Sequence, residues 1–297
     1  MQGRLEVHDK ALLDLIPGDA LPERIAGGFG FTEGPVWCGD HLLFSDIRLN
    51  RTVRWRELPE GPEITTFRTD TAMGNGLTLD LSGRLLTCEG ASRRVSVMEA
   101  NGDCHTLADR FRGKRINGPN DVIVSSTGDV YFTDPAWALP DRTVGKELTF
   151  NGVFKLSSGG ELSVVADDCD KPNGLALSPD ESTLYIDDSG RKHIRAFDVR
   201  PDGTLANGRL FLDMQSDEPG TVDGMKVDLL GNVYCTGPGG IWIVRPSGEV
   251  LGRIILPELP ANLAWGGEGW STLFITARTS VYRLQTLANG VPVPHIR

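Results

Sequence analysis

Apolar and polar positions fall in short bursts along this chain, and one burst pattern returns six times. Its clearest copy runs from Asn173 to Ser189, NGLALSPDESTLYIDDS: a polar residue opens a short apolar run, a turn follows, and a second apolar run ends on acids. Runs this short, bounded by turn residues, predict β-strands rather than helices. The other copies open at Glu33 (EGPVWC, then HLLFSDI), Asn75 (NGLTLD, then RLLTCEG), Asn120 (NDVIVS, then DVYFTDP), Asp223 (DGMKVD, then NVYCTGP) and Asn262 (NLAWGG, then TLFITAR). Successive openings lie 42, 45, 53, 50 and 39 residues apart, a repeat with loops of variable length. Strands recurring at that spacing mean a solenoid or a propeller.

A third strand follows in every copy: TVRWR at 52–56, RVSVM at 94–98, GVFKL at 152–156, HIRAF at 193–197, GIWIV at 240–244 and SVYRL at 280–284. Five copies add a fourth, starting at residues 63, 105, 162, 209 and 250. The sixth has none, because only a short tail with two prolines follows Leu284. A lone strand ahead of the first copy, PERIAGG at 22–28, is the missing piece. The expected fold is therefore all-β, a six-bladed β-propeller of four-stranded blades closed by an N-terminal strand, which leaves only short edges. Upstream, Ala11, Leu12, Leu15 and Ile16 share one helical face until Pro17 and Gly18 end it. Residues 1–21 thus read as an N-terminal extension with a short helix, and residues 22–297 as a single propeller domain.

In a propeller the first strand of each blade lines the central channel, so the six openers, Glu33, Asn75, Asn120, Asn173, Asp223 and Asn262, crowd one mouth. Asn-Gly and Asp-Gly also serve tight turns. Turn duty, however, does not account for Glu33, and it would admit Ser or Gly equally well. Six carboxylates and carboxamides make a ring of oxygen donors, which suits a hard cation such as Ca²⁺. Glu33 and Asp223 neutralise a divalent charge, and asparagines complete the shell. Zn²⁺, Mn²⁺ or Mg²⁺ could occupy a site with open positions.

Composition narrows the partners. The chain has 40 acids against 30 bases, a formal charge of −10, which opposes nucleic acid and anionic membranes. No run approaches the ~18 apolar residues of a spanning helix, and the start lacks a basic end and an apolar middle, so a cytoplasmic protein is expected. The five cysteines are widely spaced without a CxxC pair and read as reduced. No GxSxG elbow occurs, and none of His8, His41, His105, His193 and His295 opens an inner strand, which argues against a serine triad.

EGPVW at 33, GPNDV at 118, PNGLALSPDESTLY at 172, DGMKVD at 223 and PANLAWGG at 260 together resemble the gluconolactonase branch of the family that also contains senescence marker protein and luciferin-regenerating enzyme. The resemblance runs from about Leu21 to Leu284. It implies a six-bladed propeller acting as a calcium-dependent lactone hydrolase. It also implies Glu33, Asn173 and Asp223 as metal ligands, Asn120 at the metal or holding substrate, and Asp223 as general base. Two departures concern the substrate side. Relatives carry an arginine two residues before the asparagine of the ND pair, where this chain has Gly118, and Arg115 on the same loop is the candidate in its place. Relatives that spell CEHGG in the second blade are matched here by Cys88-Glu89-Gly90-Ala91-Ser92.

The expected function is a divalent-metal-dependent lactonase taking a sugar lactone, such as glucono-1,5-lactone, to its aldonic acid. Asn75, Asn120, Arg115 and Trp137, the last on the long loop after Asp134, are its expected substrate contacts. A related esterase or organophosphatase propeller, or a non-enzymatic propeller with a structural cation, are the alternatives. The oligomeric state is not legible.

Overall fold

The computed structural model describes residues 3–294. The apolar bursts become strands enclosed on both faces: Leu42–Asp46, Leu85–Glu89, Val130–Asp134 and Val233–Gly237 are buried at every position. Antiparallel pairing of consecutive bursts builds the blades. Blade one holds Thr32–Trp37, Leu42–Asp46, Arg51–Leu58 and Gly61–Thr69. Blade two holds Gly74–Leu79, Leu85–Glu89, Arg94–Met98 and Cys104–Ala108, and blade three Val122–Val124, Val130–Asp134, Asn151–Leu156 and Leu162–Cys169. Blade four holds Pro172–Leu177, Thr183–Asp188, His193–Val199 and Leu205–Asp213. Blade five begins with Met225–Val227, Val233–Gly237, Gly240–Val244 and Val250–Ile255.

Blade six supplies only Asn262–Gly266, Thr272–Ala277 and Ser280–Gln285 from its own copy. Its fourth strand is Glu23–Gly27, paired antiparallel with Glu23 opposite Arg283 and Gly27 opposite Ser280, as the missing strand in the sequence required. Each innermost strand contacts the next, and that of blade six contacts that of blade one, so the ring is closed. Six apolar clusters sit in the six seams between blades. In the closing seam, Trp37 stacks on Phe274 at 5.1 Å between blades one and six.

The N-terminal segment does more than the sequence indicated. Arg4–Val7 adds a fifth strand to the outer edge of blade five, Arg4 opposite Ile255. Four residues are too few for a readable alternation. The expected helix is a 3₁₀ turn, Lys10–Asp14, begun by Asp9, whose Oδ1 accepts the Ala11 N–H at 2.9 Å. Its apolar face is the expected one: Leu12, Leu15 and Ile16 are buried in the seam between blades five and six. Full burial of such a side chain contributes roughly 1.5–3 kcal/mol. All five cysteines are free thiols, and burial pushes Cys38 and Cys169 up to about 12.

Candidate active site

The openers meet across the blades. Asn262 Nδ2 donates to Glu33 Oε2 at 3.0 Å, Asn75 Nδ2 to Asn120 Oδ1 at 2.6 Å, and Asn120 Nδ2 to Asn173 Oδ1 at 2.5 Å. The Asn173 amide also lies near enough to the Asp223 carboxylate to favour its charged form. Glu33, Asn120, Asn173 and Asn262 are buried, while Asn75 and Asp223 keep part of their surface open.

Two local devices set this convergence. Hydroxyls late in one blade's second strand, or just after it, hold the carbonyls around the next opener: Ser45 Oγ donates to Asn75 O at 2.7 Å, Thr133 Oγ1 to Asn173 O at 2.7 Å, Ser189 Oγ to Val222 O at 2.6 Å and Thr236 Oγ1 to Ala261 O at 2.9 Å. The glycine after the opener permits the close approach of neighbouring inner strands. A Cβ on Gly34, which has φ +50°, would lie 2.0 Å from Asn75 O, and one on Gly174 2.2 Å from Asp223 O. The repeated Asn-Gly and Asp-Gly spelling therefore reflects backbone contact inside the channel.

Two further acids sit in the ring. Asp121, in the place where four other blades carry glycine, is buried with Oδ2 unpartnered and Oδ1 accepting its neighbour's N–H, Val122, at 2.9 Å. Asp187, one residue before the end of the second strand of blade four, is fully buried, with Oδ1 unpartnered among the described residues. The departure from glycine after Asn120 and the doubled acid in YIDDS were the available signals. Burial pushes Glu33 up to about 7, and the charge of Asp121 adds to it, while the Gly34 N–H and Asn262 amide pull the other way. Burial, then the charges of Glu33 and Asp121, raise Asp223 well above the carboxylate range. Asp187 is raised likewise, by burial and then by Asp223 and Asp121.

Mutually repelling carboxylates with unpartnered oxygens fit a cation. Among the described residues no three His, Cys, Asp or Glu side chains converge on one point, so such a cation would take carboxamide oxygens as part of its shell. The histidines lie elsewhere: His8 bonds Glu6, His41 bonds Asp40, His105 is exposed on an outer strand, His193 sits on the third strand of blade four, and His295 lies outside the described residues. The apolar cavity farther along the channel, walled by Val36, Leu77, Ile123, Leu177 and residues 291–294, carries Lys226 as its one charged group among the described residues.

On the substrate side, Asn75 belongs to the ring, and its Oδ1 takes no hydrogen bond from the described residues. Arg115 commits Nη2 to Ser92 O at 2.7 Å, and its N–H donates to Glu147 Oε2 at 2.8 Å. Trp137 is half-buried in the loop of residues 135–150. That loop explains Gly118: a Cβ there would lie 2.8 Å from the Ala138 Cβ, so the loop fills the space a larger side chain would need. Arg93 tethers the loop, giving Nη1 to Gly145 O at 2.9 Å and Nε to Ile116 O at 2.7 Å.

The family model described as SMP-30/Gluconolactonase/LRE-like region matches residues 31–279. The chain is 34% identical to the gluconolactonase of Zymomonas mobilis, over 94% of this chain and 85% of that protein. It is 26% identical to the pentonolactonase XacC of Haloferax volcanii, over 82% of this chain and 80% of that one. Among solved structures, the gluconolactonase of Xanthomonas campestris superposes with a TM-score of 0.87 at 33% identity, covering 95% of each chain.

Proposed function

Because the chain belongs to the SMP-30/Gluconolactonase/LRE-like family, we propose that it hydrolyses a sugar lactone of the glucono-1,5-lactone type to the aldonic acid, with one divalent cation held by Glu33, Asn173 and Asp223. Asn120 is the fourth ligand or its neighbour, and Ca²⁺ is the preferred ion, with Zn²⁺, Mn²⁺ or Mg²⁺ able to serve. The observation that carries this reading is the ring of oxygen donors from six blades, in which enclosed carboxylates repel one another and hold unpartnered oxygens.

Such a cation, when bound, supplies Lewis-acid polarisation of the lactone carbonyl and charge to balance the developing oxyanion. The residues do the rest. Asp223, raised by burial and by its neighbouring acids, would be ionised beside a bound cation and so able to take the proton of the attacking water, since the ring's asparagines accept hydrogen bonds but cannot accept a proton. Glu33 holds charge and position, fixed by the Gly34 N–H at 2.7 Å and by Asn262. Water adds to the acyl carbon, the ring C–O bond breaks, and the leaving alkoxide recovers a proton as the hydroxy acid forms. Asn75, Asn120 and Arg115 bind the sugar hydroxyls, and Trp137 walls the pocket. Five free thiols, three of them buried, suit the cytoplasmic setting that this reading assumes.

The test is a panel of sugar lactones assayed after chelation and again after metal re-addition. Hydrolysis lost on chelation and restored by Ca²⁺ or another divalent ion is expected. Full activity in the chelated protein would remove the cation from the reading, and no hydrolysis of any lactone would remove the reaction.

A further inference from the structure

Asn75, Asn120, Asn173 and Ser189 form a single directed hydrogen-bond chain across blades two, three and four. Asn75 Nδ2 donates to Asn120 Oδ1, Asn120 Nδ2 to Asn173 Oδ1, and Asn173 Nδ2 to Ser189 Oγ at 3.0 Å. Ser189 Oγ then donates to Val222 O at 2.6 Å.

The last link fixes the direction of all the others. A backbone carbonyl can only accept, so the single proton of Ser189 is committed to Val222, and its oxygen meets Asn173 as an acceptor. Asn173 must therefore turn its NH₂ to Ser189 and its oxygen to Asn120. Asn120 in turn must offer NH₂ to that oxygen, which leaves its own oxygen for Asn75. A carboxamide has two ends of nearly equal shape, and nothing steric distinguishes one orientation from its flip. The hydroxyl at the end of the chain breaks the tie, and the Asp223 carboxylate beside Asn173 favours the same orientation. Val222 also precedes Asp223, so the same hydroxyl fixes the backbone at the fifth opener.

We propose that Ser189 is a positioning residue that sets the orientation of the Asn173, Asn120 and Asn75 carboxamides, so that oxygen rather than N–H is presented to a cation in the ring. The cation part rests on the function proposed above, and the orientation part stands without it. Groups that orient metal ligands affect affinity by about 10–100-fold in other proteins.

The test compares the ¹⁵N-labelled full chain, metal-free, with Ser189→Thr, Ser189→Val and Ser189→Ala. Threonine and valine are near-isosteric and differ in the hydroxyl. The readouts are the side-chain NH₂ signals of Asn75, Asn120 and Asn173, and the Ca²⁺ affinity by calorimetry, with Glu33→Gln as a separate control. Ser189→Val and Ser189→Ala are expected to shift or broaden all three amide signals and to weaken Ca²⁺ about tenfold or more, while Ser189→Thr stays close to wild type. Unchanged Asn120 and Asn75 signals in whichever hydroxyl-free variant folds would overturn the proposal. Ca²⁺ that fails to bind the wild type, or binds Glu33→Gln equally well, overturns the cation reading instead, and the amide signals still decide the role of Ser189.

Discussion

Asp223 and Glu33 are carboxylates of the same ring, yet the roles proposed for them separate on one substitution. Asp223→Asn keeps an oxygen donor and removes the proton acceptor, so metal-loaded protein should lose lactone turnover by ~10²-fold or more while still binding the ion. Turnover and occupancy measured side by side check this, and near-normal turnover would transfer the base to another group. Asn75→Ala should mainly raise KM. Asp134 offers a prediction away from the ring. Burial pushes its carboxyl up to about 7 from a usual value of 3.8, although the N–H groups of Asn117 and Gly118, each 2.7 Å away, pull it down. The folded state thus holds that proton more tightly than the unfolded chain. Its contribution to stability is complete below the ordinary carboxylate range and is lost as pH rises through about 7. The melting temperature of Asp134→Asn should accordingly fall less between pH 5 and pH 8 than that of the wild type, whatever its absolute value. At this scale the six openers were legible because their residue type recurs at a repeat position. Asp121 and Asp187 were not read as site residues, because each looks like an extra acid in a strand until the channel places it beside Asp223.

In blades one, three and four, the acid that ends the second strand has a job that its recurrence in sequence did not reveal. Asp46 Oδ1 accepts the N–H groups of Gly30 and Phe31, Asp134 those of Asn117 and Gly118, and Asp188 those of Asp170 and Lys171. Each clamps the segment that leads into its own blade's inner strand, and so helps to place the opener two or three residues later. Asp46 carries Arg51 as well, at 3.2 Å. Asp46→Ala should therefore cost about 1–3 kcal/mol in urea unfolding, because buried N–H groups lose their acceptor. A change within ~0.5 kcal/mol would show that water replaces the clamp. The strands themselves were readable from period and turn residues. What escaped was the short strand Arg4–Val7 and the small hairpin of Arg110–Phe111 and Lys114–Arg115, since runs of two to four residues carry no period. The packing of Ala138 over Gly118 was equally hidden, because a loop's landing place depends on contacts far from it in sequence.

Taken whole, the molecule is six seams rather than one core, and the seam between blades five and six is reinforced by the N-terminal turn. Leu12 is fully buried there, and Leu12→Ala should lower stability by about 2–5 kcal/mol in denaturant titration. A loss under ~1 kcal/mol would mean the turn only rests on the propeller. The blade count and the closing strand followed from arithmetic on the repeats, because a propeller's geometry is dictated by how many copies exist and which one is short. That closing strand also governs the order in which the chain becomes a protein. Glu23–Gly27 leaves the ribosome ahead of its partner Ser280–Gln285, which follows more than two hundred residues later. During synthesis the first five blades can form in turn, but Glu23–Gly27 must wait, with its edge open, until the last blade emerges. Until then that edge is open to pairing with neighbouring nascent chains, and the most vulnerable state is a ring that lacks only its last blade.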